Sequence, residues 1–302
     1  MHVLNRSATY ALVRRCSGPT PLLEWALPLL QAPQSDPGGT SLALSALAEF
    51  SIAAQGSPPA EAAAGPILEA CQRLLEDEAT PSALLHPLVR LLTAIAQLYP
   101  VPMLRLFDDV SDLLLGWALE PELEGGEREL LLRCFLGFHK QWAHRLPLGT
   151  ALLGKLVEDL VALTRDSGDP TAPGLRRMQS LAACFCAILQ GCGPALQKQA
   201  ELVGPLLEGW LGWGSAVVGQ AGEVANSGAA LACQGLCVFG QVLQQSLAVH
   251  YFCILTFMEA ALALPSSTAL HLCGLLRPNL QLLTAQGVAL PMEAVTRLLR
   301  QD

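Results

Sequence analysis

Asp108, Asp109 and Asp112 stand together in the stretch Phe107-Asp-Asp-Val-Ser-Asp112. On a helix, Asp108 and Asp112 are four residues apart and share a face, where their oxygens could hold Mg²⁺ against a diphosphate. Such chemistry needs a second metal-binding segment on a facing helix. The chain has no other Asp-rich motif and no Asn-Asp…Ser…Glu arrangement. Basic residues for a diphosphate are scarce, and 5% aromatics is little for lining a carbocation pocket. The leading reading is a solvated acidic face opposite Leu106, Val110, Leu113 and Leu114. A Mg²⁺-dependent all-α prenyl-transfer enzyme using Asp108, Asp109 and Asp112 is the alternative.

Other candidate chemistry is thinner. His139 and His144 are five apart, on different helix faces, and Cys184-x-Cys186 points its thiols apart. Cys233 and Cys237 share a face, but no matching Cys/His pair stands at structural zinc spacing. Packing explains these cysteines better, and a reducing interior, cytoplasm or nucleus, suits a chain whose ten cysteines lie mostly in apolar runs. No Gly-rich phosphate loop, nucleophile elbow or kinase signature is present. Catalytic, cofactor and metal residues are therefore all expected to be absent. The charge of −8, with three Lys and no basic stripe, disfavours nucleic acid. The stretch from Val224 to Met258 lacks Asp, Glu, Lys and Arg, enough to cross a bilayer, yet its Asn, Gln and His positions read as two helices, near 223–246 and 248–263. No membrane contact is expected.

The elements that would carry these residues are helices. About one residue in five is Leu, whereas Val and Ile together number 21. Leu and Ala suit helices, and strands favour β-branched and aromatic side chains. Apolar periodicity predicts helices near 20–32, 41–54, 61–77, from Thr80-Pro81 through Ile95, 103–117, 127–143, 149–164, 174–190, 194–213, 223–246, 248–263, 267–284 and 291–300. Starts lie about 20 residues apart, so a pair spans about 40, the period of two-helix solenoid repeats. We expect one continuous HEAT/armadillo-like α-solenoid over 1–302, part of a longer array; a single globular all-α bundle is the other arrangement. Gly209, Gly212, Gly214 and Gly219 around Trp210 and Trp213 suit close helix approach or a break.

Residues 99–163 carry a resemblance. Tyr99-Pro-Val-Pro-Met-Leu-Arg-Leu-Phe-Asp-Asp-Val-Ser-Asp-Leu-Leu-Leu-Gly-Trp117 resembles a helix in the N-terminal helical-repeat arm of the nonsense-mediated mRNA decay serine/threonine kinase, of the phosphatidylinositol-3-kinase-related family. The likeness resumes at Trp142 and runs through Leu148-Gly-Thr-Ala-Leu-Leu-Gly-Lys-Leu-Val-Glu-Asp-Leu160. Its motif residues are Phe107, Asp108, Asp112, Gly116, Trp117, Trp142, Leu152, Leu153, Gly154, Glu158 and Asp159. The resemblance implies a scaffold that contacts the regulatory subunits and the remaining kinase polypeptide, with catalysis in a distant domain absent here. It also makes Asp108, Asp109 and Asp112 part of a structural motif. From the residues alone, Leu104, Leu106, Phe107, Val110, Leu113, Leu114 and Trp117 form one core stripe, and Leu152, Leu153, Leu156, Leu160 and Leu163 another.

Overall fold

The computed structural model describes residues 19–288, except 56, 78, 121, 167–171, 221, 263 and 265. Among the described residues there are thirteen α-helices and no strand. The chain is all-α. It divides into two compact units, Met1–His144 and Arg145–Asp302.

The first unit holds α1 (Pro19–Gln31), α2 (Pro37–Ala53), α3 (Pro58–Glu76), α4 (Leu85–Leu98), α5 (Pro100–Leu119), α6 (Gly125–Gly137) and α7 (His139–His144). Proline opens α2, α3 and α5, where the missing N–H has no helical acceptor to lose. This is why α5 begins at Pro100 rather than at the expected 103. Asp36 caps α2 by accepting from the Gly39 N–H at 2.8 Å. The Thr40 hydroxyl then donates to the Leu29 carbonyl at 3.0 Å, closing the turn back to α1. The single helix expected over 127–143 is broken in two. The Phe138 N–H is shared between the Cys134 and Phe135 carbonyls, and the Trp142 indole donates to the Phe135 carbonyl at 2.9 Å. The break turns both Phe138 and Trp142 into the core, where each is fully buried.

The second unit holds α8 (Leu146–Asp166), α9 (Ala172–Leu196), α10 (Ala200–Val218), α11 (Gly222–Leu243), α12 (Tyr251–Leu262) and α13 (Ser266–Ala285). Pro194, expected to begin a helix, lies instead in the last turn of α9. A 3-10 segment, Gln244–His250, separates α11 from α12 and interrupts the charge-free stretch 224–258. Among the described residues, Gly174–Leu196 is long and apolar enough to cross a membrane, and 67% of that stretch is buried among other helices. The expected helix 291–300 lies outside the described residues.

In each unit helices rest on the helix two further along. In the first unit α1, α3, α5 and α7 pack in succession, as do α2, α4 and α6; in the second, α8, α10 and α12 do, and α9, α11 and α13. Hairpin neighbours α8/α9 and α10/α11 also pack extensively.

Between α10 and α11 the close approach comes from small residues set against large ones. A Cβ added to Gly235 would overlap the Trp210 ring, one on Gly228 would overlap Val217, and one on Gly214 would crowd Ala232 and Phe257. Trp210 completes the seat by donating its indole N–H to the Ala232 carbonyl at 3.0 Å and stacking on Phe185 at 4.2 Å. Of the four glycines flagged by sequence, Gly214 thus serves helix approach and Gly219 caps α10. Gly212 meets open space. Gly235→Ala should therefore lower stability by about 1–3 kcal/mol through overpacking. Gly212→Ala should be neutral or stabilising by up to about 1 kcal/mol, from helix propensity. Urea unfolding of both variants checks the contrast.

Candidate interaction surfaces

The acidic motif sits on α5, which α3 and α7 flank. Phe107 is fully buried. Its ring meets Phe138 and Trp142 edge-on, at centroid distances of 5.6 and 4.7 Å. Phe107 and Trp142 thus share one aromatic cluster of the first unit. The Trp117 indole reaches across to α3 and donates to the Leu75 carbonyl at 3.1 Å. Gly116 is exposed, with open space around it. Asp109 and Asp112 are exposed and Asp108 is half-buried. Among the described residues, no three His, Cys, Asp or Glu side chains come together in a way that could hold a metal ion.

The core face of α5 is rotated from the expected one. Phe107, Val110 and Leu114 are buried as anticipated, but Leu104, Leu106, Leu113 and Trp117 are only half-buried. Met103, Ser111, Leu115 and Ala118 are buried in addition. A helix covered from more than one side hides residues that a single-stripe reading leaves out. On α8, Leu152, Leu153, Leu156 and Leu160 are buried as expected, while Leu163 is half-buried. Gly154 and Asp159 are half-buried and Glu158 is exposed.

Each unit carries an open groove between helices two apart. In the first, α3 and α5 enclose about 560 Å³, lined by Pro58, Glu61, Gly65, Glu69, Val101 and Arg105 among others. In the second, α8 and α10 enclose about 600 Å³ over Val157, Val161, Gly209, Gly212 and Trp213, with Glu158 and Arg165 alongside. Trp213 is held by its indole N–H, which donates to the Thr164 hydroxyl at 3.1 Å. The missing side chain at Gly212 leaves open space beside this second groove. Glu158, from the resemblance motif, is thus a groove residue. The rest of both grooves was not legible: they form where helices distant in sequence fail to close over one another.

The largest exposed apolar side chains of the second unit gather at the junction of the 3-10 segment and α12. Val249 is 79% exposed and Phe252 72%, with Tyr251 between them in sequence. By sequence these fall in the charge-free stretch 224–258, and nothing in their types marks them as exposed.

Among the described residues Cys71, Cys134, Cys184, Cys192 and Cys233 are buried, and Cys186, Cys237 and Cys253 are half-buried. Burial pushes the Cys71, Cys134, Cys186 and Cys192 thiols up to about 12. The Thr93 hydroxyl opposes the rise at Cys134. They pack as small apolar groups, as expected from sequence.

These thiols give the protein an alkaline limit. Unfolded thiols ionise from about pH 8.5, whereas the buried four keep their protons to about 12. Between those values the native state binds more protons than the unfolded one, so stability falls as pH rises through the window. Urea midpoints measured from pH 8 to pH 11 should decline steadily. By contrast, Trp142→Ala should cost about 3–5 kcal/mol at neutral pH, and Asp109→Ala less than about 0.5 kcal/mol, both read by thermal melting.

Comparison of the chain with protein-family models, with curated proteins and with solved structures gives no match.

Proposed function

We propose that the chain is a helical scaffold of HEAT- or armadillo-like pairs, an α-solenoid segment that acts through protein partners and catalyses nothing itself. One recurrent observation carries the reading. Side-chain ties join helices two apart at sequence separations close to one repeat. The Tyr99 hydroxyl donates to the Ser51 carbonyl, Trp117 to Leu75 and Trp213 to Thr164, across 48, 42 and 49 residues. Arg90 pairs with Glu49 in the same way. Two-helix repeats of the HEAT and armadillo kinds run to about 40–47 residues, and a stack of them places each helix on its counterpart in the next pair.

The partner class comes from the 99–163 resemblance. A scaffold like the N-terminal arm of the nonsense-mediated decay kinase would bind that kinase's regulatory subunits and the rest of its polypeptide, in the cytoplasm or nucleus. Phe107, in the first quoted block, packs on Trp142, where the likeness resumes. The grooves at α3/α5 and α8/α10 are where partner side chains would lodge. No observation favours the prenyl-transfer alternative.

The test is retention of the purified full chain on immobilised regulatory subunits of the decay kinase. The reading expects retention at micromolar concentration, weakened at least fivefold by Glu158→Lys or Val101→Asp, both exposed positions. A chain that is folded by circular dichroism yet passes through unretained would overturn the assignment of partners. Metal-dependent diphosphate turnover, abolished by Asp108→Ala, would overturn the scaffold reading itself.

A further inference from the structure

The α3/α5 groove of the first unit is one-sided in charge. Glu61 and Glu69 line its α3 wall, Val101 and Arg105 its α5 wall, and all four are exposed. α3 carries Glu61, Glu69 and Glu76 against Arg73, and α5 carries Asp108, Asp109 and Asp112 against Arg105, a net charge of −2 on each helix. Arg73 turns its Nε–H to the Glu69 carbonyl at 3.2 Å. Among the described residues neither Glu61 nor Glu69 is ion-paired. Arg105 has Asp109 one turn along its own helix, which offsets its charge. The α8/α10 groove, by contrast, has Glu158 and Arg165, one of each sign.

The groove also offers a backbone acceptor and room. Pro66 lies inside α3 and has no N–H to give the Ala62 carbonyl one turn back, and both residues line the groove. Gly65 sits midway between the two glutamates, and a Cβ added there would meet nothing within 4 Å. Val101, on the facing wall, is 62% exposed, although apolar. Residue numbers rise along both helices from the groove toward the tie of Trp117 to Leu75, so the helices run parallel. Asp109, one turn past Arg105, therefore extends the α5 wall toward the Glu69 end. Glu61 and Glu69 are separated by about 12 Å along the helix axis. Four residues of extended chain span about 13 Å, and positions i, i+2 and i+4 of such a chain share one face.

We propose that the α3/α5 groove binds an extended segment of a partner protein with the pattern basic-x-apolar-x-basic. Its two Lys or Arg side chains meet Glu61 and Glu69, with Asp109 near the second. Its apolar side chain enters over Gly65 against Val101, and a donor from the segment serves the Ala62 carbonyl. The inference rests on the scaffold reading, in which partner chains lodge in the grooves, and makes no use of the kinase resemblance.

Fluorescence polarisation of a labelled Gly-Lys-Ser-Leu-Ser-Lys-Gly peptide, titrated with the full chain at low ionic strength, tests it. Binding should saturate, and should weaken about fivefold or more when Glu61→Gln and Glu69→Gln are combined. Gly65→Leu fills the gap without changing charge and should weaken binding as much, with its fold checked by circular dichroism. Should Gly65→Leu unfold the unit, the paired glutamine variant alone decides. A peptide with Ser in place of Leu, or Glu in place of both Lys, should not saturate the chain. Three results would overturn the proposal: no saturable binding by the folded chain, binding that survives both sets of substitutions, or equal binding of the Glu peptide. Peptide binding without retention on the decay kinase's regulatory subunits would uphold the groove and fail those partners. Retention without peptide binding would do the opposite.

Discussion

Each described helix of this protein packs against at least two others. Charged residues are 15% of the chain and apolar ones 52%, so a helix left with one packed side would expose a wide apolar flank to water. Contacts two helices apart relieve that constraint, and the rest of the structure follows from it. They require small residues where a large ring must enter, as Gly214 admits Phe257. They require polar groups buried by the second contact to find distant partners, as the Tyr99 hydroxyl finds Ser51 and Trp213 finds Thr164.

The same constraint shapes what the surface can do. Successive members of these series leave open grooves between them, at α3/α5 and α8/α10. Side chains at their edges, such as Val101 and Glu158, are exposed while their neighbours on the same helix are buried. Thiols packed in the same interior stay protonated for want of solvation, which makes them structural groups rather than nucleophiles.

Much of the architecture could be read in advance because helix signals are local. Proline at helix starts, apolar spacing and the poverty of β-branched residues located nearly every helix within a few residues. The misplacements have local physical causes too. Helix α5 begins at Pro100 because proline is tolerated throughout a first turn, and the 127–143 run divides at Phe138 because two aromatic rings must enter one core. The core face of α5 was misjudged because a single stripe was assumed where burial comes from several sides. The acidic motif could be found by spacing alone. The exposed Phe252 could not, since an exposed phenylalanine and a buried one look alike in a row of letters.

Composition and periodicity by themselves determined that the chain is helical and where most helices lie, because both depend on neighbours within one or two turns. Tertiary structure alone decided which helix covers which, where the grooves open, and which aromatic residues are buried. Those outcomes depend on residues some 40 to 50 positions apart competing for the same apolar surface, and no local pattern records the winner.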